Sequence, residues 1–259
     1  MTAYCDWLRV YDAISGSPEV RLVCFPHAGG TASSYAPWRG RLDDRIELVS
    51  VRYPGREDRL AEPMSQCLEA MADAVTEDVV RLQTERPLPL VLLGHSMGAS
   101  VAHEVAVRLR MRARAVALLI VSARLPVSSL DTGAERLSDE ELAVMLGRMD
   151  PTTIEVLTHP ELRELVWPSI RSDYDITCSY GGHDAPPLDI PILALGGRSD
   201  AWVDGASMVA WERATTAGFS SRLFDGDHFF LHDNPEVLAL MNDFVCAQAD
   251  SAPDARSPA

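Results

Sequence analysis

The chain has 259 residues, 47% of them hydrophobic, with 38 acidic and 23 basic side chains and a formal charge of -15. That is enough apolar material for one large α/β domain, while so acidic a chain argues against nucleic acid as a partner, because neutralising phosphates needs an excess of basic surface. All 23 basic residues are Arg, which excludes Schiff-base chemistry, a Ser-Lys dyad and a Walker lysine.

Met1 to Val10 carries Asp6 and Arg9 where a signal peptide needs an unbroken apolar segment, and no apolar run is long enough to span a bilayer. The expectation is a soluble cytoplasmic protein, with no membrane partner. Trp7 to Tyr11 alternates as a short strand would, and Arg21 to Phe25 reads as a buried one that ends at Pro26-His27-Ala28-Gly29-Gly30. A glycine-containing loop at the carboxyl end of an early strand is where open α/β sheets keep ligand sites. Ala28 is the position there that would offer a backbone N–H to an oxyanion, and His27 is either a substrate contact or a locally bonded loop residue. A helix is expected near Ser33 to Leu42, then a strand over Glu47 to Tyr53, closed by the charged loop Pro54-Gly55-Arg56-Glu57-Asp58-Arg59.

Leu68, Met71, Ala72, Val75, Val79 and Leu82 form one stripe of a helix from about Cys67 to Glu85, ended by Pro87 and Pro89. The apolar run Leu90 to Leu93 then stops at Gly94-His95-Ser96-Met97-Gly98, and a helical pattern begins at once. A strand turned into a helix this abruptly holds its central Ser in a strained conformation and lifts the hydroxyl above the sheet edge. The free N–H groups of the helix beginning near Met97 favour a developing oxyanion. The arginines at 108, 110, 112 and 114 follow at the helix end and suit its negative dipole end better than an anion site. Ala115 to Ala123 is the next buried strand, and the strand-helix-strand rhythm predicts a mostly parallel sheet covered by helices on both faces.

Between about Pro126 and Pro187 the rhythm breaks and only helical signals remain. Ser138-Asp139-Glu140-Glu141 is a capping box, which predicts a helix from Asp139 to about Met149; a second starts near Pro160 and runs, bent at Pro168, to about Thr177. Met145 and Trp167 lie on the apolar face of these helices, as core packing or as the lining of an acyl-chain pocket under a lid. The sheet resumes at Ile190 to Leu195 and ends in Gly196-Gly197-Arg198-Ser199-Asp200. A helix over 204–217, a strand over Ser221 to Phe224 and the loop Asp225-Gly226-Asp227-His228 follow, and Asn234 caps the last helix. The domain reading is therefore a core of residues 1–125 and 188–249, a helical insertion over 126–187, and a disordered tail over 250–259. Cys5, Cys24, Cys67, Cys178 and Cys246 are widely spaced with no Cys-x-x-Cys, so neither a disulfide framework nor a zinc site is expected.

A serine hydroxyl needs a base to take its proton and a third group to orient that base. Ser96, Asp200 and His228 follow in the chain order of α/β hydrolases, each at the end of a strand. His232 is the rival base, and Asp225 and Asp227 are the rival acids; His228 is preferred because Gly226 frees its loop.

Five blocks carry a more specific resemblance: Leu22 to Gly30, Tyr53 to Arg59, Gly94 to Ala99, Gly196 to Asp200 and Gly226 to Leu231. Together they resemble the signature blocks of type II thioesterases, the stand-alone editing enzymes of polyketide and nonribosomal peptide synthesis. The resemblance covers about Val20 to Phe244. It implies an α/β-hydrolase fold with a helical lid, catalytic Ser96, Asp200 and His228, and oxyanion N–H groups on Met97 and Ala28. Asp227 departs from the glycine frequent before the histidine. The implied reaction is hydrolysis of an acyl thioester on the phosphopantetheine arm of an acyl or peptidyl carrier protein, through an acyl-Ser96 intermediate, with no metal or organic cofactor, by a monomer. Carrier proteins are often acidic, so docking would need a local basic patch, for which Arg56, Arg59 and Arg171 are candidates. The alternatives are a chain-releasing thioesterase, a general carboxylesterase on the same fold, or a hydrolase-like binding protein without turnover.

Overall fold

In the computed structural model, which describes residues 6–11, 17–129, 136–149, 151–182 and 185–251, seven strands form one sheet in the order β1-β3-β2-β4-β5-β6-β7. They are β1 (Leu8–Val10), β2 (Val20–Phe25), β3 (Ile46–Val51), β4 (Leu90–His95), β5 (Leu118–Ser122), β6 (Ile192–Gly197) and β7 (Phe219–Phe224). Every neighbouring pair is parallel except β1 with β3. Strands β2 to β6 are buried along their whole length, which explains why they read as continuous apolar runs rather than alternating ones.

Alternation reappears once the two faces are separated. Val23, Phe25, Leu92, Leu119 and Val121 join α1 (Leu68–Glu85) and α2 (Met97–Met111) on one face; Leu22, Cys24, Val91, Leu93 and Ile120 join α6 (Pro235–Ser251) on the other. The period of two along a strand feeds two cores at once. The arginine run leaving α2 binds locally: Arg110 Nη1 donates to the carbonyls of Pro186 and Pro187, at 3.2 and 2.8 Å, and Arg112 pairs with Glu77.

The chain leaves β3 on one side of β2 and re-enters as β4 on the other, so the carboxyl ends of β2 and β4 flank the point where the strand order reverses. The register pairs Phe25 with Gly94 there. The loop beginning at Pro26 and the turn at Ser96 therefore emerge side by side, at the place where open α/β sheets accept ligands.

Between β5 and β6 lie α3 (Asp139–Met149), α4 (Pro151–Thr158) and α5 (Pro160–Ser179), with no strand among the described residues. The capping box is formed: Glu141 N donates to Ser138 Oγ at 3.3 Å, and Ser138 N donates to Glu141 Oε2 at 2.8 Å. Helix α4 is one that the sequence pattern did not separate from its neighbours, and α5 runs through Pro168 without ending. Two further differences have local causes. The expected helix near Ser33 to Leu42 is a 3-10 helix over Ala32–Trp38, with Pro37 inside it. The one expected over 204–217 is a 3-10 helix over Gly205–Ala214, pressed so closely on β7 that a Cβ on Gly205 would meet Leu223 Cδ2 at 2.5 Å. Helix α6 continues through Asp250 to Ser251; the rest of the expected tail lies outside the described residues. Among the described residues no helix is long and apolar enough to cross a membrane.

Candidate active site

Ser96 stands between β4 and α2 with φ 53° and ψ -121°, a backbone conformation that L residues avoid unless their surroundings impose it. The glycines around it explain how. A Cβ on Gly94 would lie 2.2 Å from the carbonyl oxygen of Gly98, and one on Gly98 would lie 2.1 Å from that of Phe25. No side chain fits either space. The second approach also draws the end of β2, and with it the Pro26–Gly30 loop, onto the first turn of α2. Ser96 N donates to Ser122 O at 2.8 Å, which ties the turn to β5 as well.

The loops after β6 and β7 are joined just as closely. A Cβ on Gly197 would lie 2.3 Å from the carbonyl of Asp227, and Ser199 N donates to Gly226 O at 2.9 Å. This brings Asp200 against His228. Asp200 Oδ2 lies 2.8 Å from His228 Nδ1, and His228 Nε2 lies 3.0 Å from Ser96 Oγ. The other Asp200 oxygen accepts from Trp202 N and Val203 N at 2.8 and 3.2 Å. Burial pushes this carboxyl upward, but the hydrogen bond and charge of His228 and the two backbone N–H groups outweigh it and hold Asp200 below the usual carboxylate range. A carboxylate held ionised fixes the imidazole with its proton on Nδ1 and its lone pair toward Ser96.

The rivals stand elsewhere. Asp225 is exposed and pairs with Arg198, and Asp227 Oδ1 accepts from Phe229 N at 2.9 Å, an Asx turn that accommodates this residue where the related loops often have glycine. His232 packs behind the site against His27, His95 and Phe229. Burial lowers the affinity of His95 and His232 for a proton, His95 strongly so. The ring nitrogens of His27, His95 and His232 could together face a metal ion, at separations of up to 4.8 Å.

Ser96 and His228 open onto a cavity of about 290 Å³. Its walls include Ala28 and Met97, then Leu142, Met145, Leu146 and Met149 from α3 and Ile170 and Tyr174 from α5, with His27 beside Ser96. Trp167 is not among them, contrary to expectation. Its indole donates to Asp139 Oδ2 at 3.1 Å, Arg163 stacks over its ring, and it faces a separate surface cleft. Trp167 shares α5 with Ile170 and Tyr174, which line the cavity, but lines the other cleft.

The arginines proposed for a docking patch are also placed differently. Arg56 and Arg59 are buried at 6% exposure, Arg59 bonded to Glu62 and Arg171 to Asp175 and the Leu137 carbonyl. Arg56 forms a two-pronged pair with Asp173 of α5, at 2.6 and 3.0 Å. Asp173 Oδ2 also accepts from Gly29 N at 2.8 Å, and Arg56 Nη1 donates to Gly30 O at 3.1 Å. The carboxylate thus clamps the loop that carries Ala28 to a helix of the excursion. Nothing in the sequence pairs two residues 117 positions apart.

Three comparisons bear on this geometry. A family model for the thioesterase domain matches residues 20–245. The thioesterase PikA5 of Streptomyces venezuelae is 35% identical over 253 residues, covering 96% of this chain and 89% of that protein. Among solved structures, the type II thioesterase BorB from the borrelidin biosynthetic cluster superposes with a TM-score of 0.81 at 35% identity, covering 92% of this chain and 97% of that one. The thioesterase RedJ from the prodiginine pathway of Streptomyces coelicolor does so with a TM-score of 0.81 at 31% identity, covering 90% and 94%.

Proposed function

The chain belongs to the thioesterase family and has its α/β-hydrolase fold, and from that premise we propose that it is an editing thioesterase of polyketide or nonribosomal peptide synthesis, clearing acyl groups from the phosphopantetheine arms of carrier proteins. The observation that carries the reading is the hydrogen-bonded series Ser96, His228, Asp200, at 3.0 and 2.8 Å, set at the mouth of an apolar cavity.

In this reading His228 Nε2 takes the Ser96 proton as Oγ attacks the thioester carbonyl, and the backbone N–H groups of Met97 and Ala28 receive the oxyanion. The C–S bond breaks, the thiol leaves with the proton from His228, and the acyl group stays on Ser96 as an ester. Water then attacks that ester with His228 again as base, releasing the carboxylic acid and restoring the serine. A thiol, with a pKa of about 8.5 for a cysteine-like group, needs less help in leaving than an amine does. Helices α3 to α5, between β5 and β6, act as the lid and line the acyl pocket with Met145. The chain works as a cytoplasmic monomer on a carrier protein.

The test is release of acyl groups from acylated carrier protein, with the matching acyl-CoA and a nitrophenyl ester in parallel. Preference for short acyl groups on the carrier, lowered about 10⁴-fold or more in Ser96→Ala, is the expected result. Turnover of soluble esters alone would move the protein to the general esterases.

A further inference from the structure

One wall of the acyl cavity is not apolar. Arg124 lies on it, in the segment that follows β5. Ala123 just before it has a φ of 49°, a left-handed turn taken by a residue that is not glycine, and this strained step sets the direction in which the next side chain leaves the strand. The main chain is pinned on both sides: Ala123 N donates to Leu195 O at 3.0 Å, and the indole of Trp211 donates to Arg124 O at 2.7 Å. The guanidinium is held through one atom, Nε donating to Ser100 Oγ at 3.1 Å. Among the described residues no carboxylate pairs with it, and neither Nη1 nor Nη2 has an acceptor.

A guanidinium with no carboxylate partner among the described residues is costly to keep on a mostly apolar wall, because burial desolvates its charge. Burial pulls this arginine down to about 10, with the nearby Cys178 and Tyr180 pulling weakly the other way. Its fork of N–H donors suits an oxygen acceptor brought in by a ligand. Ser100, which steadies it, lies four residues beyond Ser96 on the same helix, about 6 Å along the axis at 1.5 Å per residue. The donors therefore stand a few bonds beyond the carbonyl of an acyl group attached to Ser96.

We propose that Arg124 is a specificity-determining residue that selects acyl groups bearing an acceptor oxygen a few carbons beyond the thioester carbonyl, favouring oxo- and hydroxyacyl chains over plain alkanoyl chains of equal length. This rests on the thioesterase reading, but not on carrier docking. A chain with the oxygen offers the guanidinium an acceptor that an alkanoyl chain does not, and sites built to bond a substrate oxygen discriminate strongly against analogues that lack it.

The experiment compares octanoyl-, 3-oxooctanoyl- and 5-oxooctanoyl-pantetheine, soluble thioesters that report on the pocket whether or not a carrier docks. The wild type should favour at least one oxo chain by about 10- to 100-fold in kcat/KM. Arg124→Met should bring that ratio to about 1, and Arg124→Lys should keep part of it. Arg124→Gln serves as a second neutral variant should the methionine form fold poorly, with thermal melts as the check. A wild-type ratio near 1, or an equal ratio in wild type and the neutral variants, overturns the proposal. Octanoyl turnover that Ser96→Ala abolishes upholds the underlying reading independently of that ratio; a wild type that turns over none of the three overturns both.

Discussion

The loops at the carboxyl ends of the strands and the helical excursion between β5 and β6 build the same cavity by opposite means. In the loops, position is set by backbone against backbone: Gly94 on Gly98, Gly98 on Phe25, Gly197 on Asp227, all too close for a single Cβ. In the excursion, α3 to α5 bury few side chains fully, Leu142, Ser169, Asp173 and Ile176 among them, and leave Val144, Leu162 and Leu165 at 56%, 44% and 50% exposure. The first region has no alternative packing open to it. The second is a half-packed layer held down at particular points, among them the buried Arg56–Asp173 pair. Reaction geometry is best placed on the rigid part and substrate accommodation on the looser one.

The sharpest way to break the comparison is to put a methyl group into the rigid part. Gly98→Ala places a Cβ on the Phe25 carbonyl, and with no flexible side chain to yield, the strand end must shift. We expect a loss of stability at the upper end of the about 1–3 kcal/mol typical of overpacking, or beyond it, and loss of turnover even in the folded fraction. Urea unfolding and kcat measured on the same preparation test this; full activity with wild-type stability would mean that the loops are less constrained than the close approaches indicate.

An effect of similar size should come from the clamp between the regions. Asp173→Asn keeps the shape but leaves Arg56 charged, buried and unpaired, a change that costs about 3–5 kcal/mol in buried pairs. It also weakens the hold on Gly29, so kcat should fall together with the melting temperature. Replacing both partners by leucine removes the stranded charge, and the double variant should be more stable than the sum of the two single changes predicts. Additive losses would show that the pair is not the point of attachment it looks to be.

This division also explains what could be read from the chain beforehand. Rigid loops carry their constraint in residue type, because only glycine fits where backbones touch. Gly94, Gly98, Gly197 and Gly226 therefore marked the turns that bring Ser96, Asp200 and His228 together. The strands were legible because burial on both faces leaves long apolar runs. In the excursion the capping box at Ser138 located α3 to the residue, being a local hydrogen-bond device. What joins the excursion to the sheet was not legible. Trp167 has the apolar character of a pocket residue, yet its ring faces Asp139 and Arg163, and Asp173 gains its role only through a loop far away in sequence. Arg56 and Arg59 read as surface charge because Asp173, which pairs with Arg56, and the Trp7 ring, over which Arg59 lies, reach them only through tertiary contact.

A smaller effect separates the regions by pH. His95, fully buried, and His232 hold protons less readily in the folded protein than in the unfolded chain, chiefly through burial and, for His95, also through the neighbouring His228, His232 and His27. Below about pH 6.5 the unfolded chain takes up protons that the folded one refuses. Their contribution is thus present above that pH and is lost as the pH falls below it, at up to about 1.4 kcal/mol per pH unit for each group. Urea midpoints between pH 7.5 and 5.5 should fall accordingly, and His232→Phe, which preserves the stacking on Phe229, should make the slope shallower. An unchanged slope would mean that the layer behind Ser96 admits protons freely.

The most direct comparison uses one residue type in both regions, and its half on α5 is the smallest effect expected. Leu92 in β4 is fully buried, whereas Leu165 on α5 is half exposed. Leu92→Ala should cost about 2–5 kcal/mol, from lost burial and the void left behind. Leu165→Ser removes a side chain that already meets water on one side and should stay within about 0.5 kcal/mol. If it costs as much as Leu92→Ala, the excursion is packed as firmly as the sheet, and a lid able to open over the acyl cavity loses its structural basis. If it is neutral in stability and yet alters the ratio of long- to short-chain turnover, the exposed face of α5 takes part in closing over the substrate, and chain length becomes a property of how the excursion settles rather than of the fixed walls.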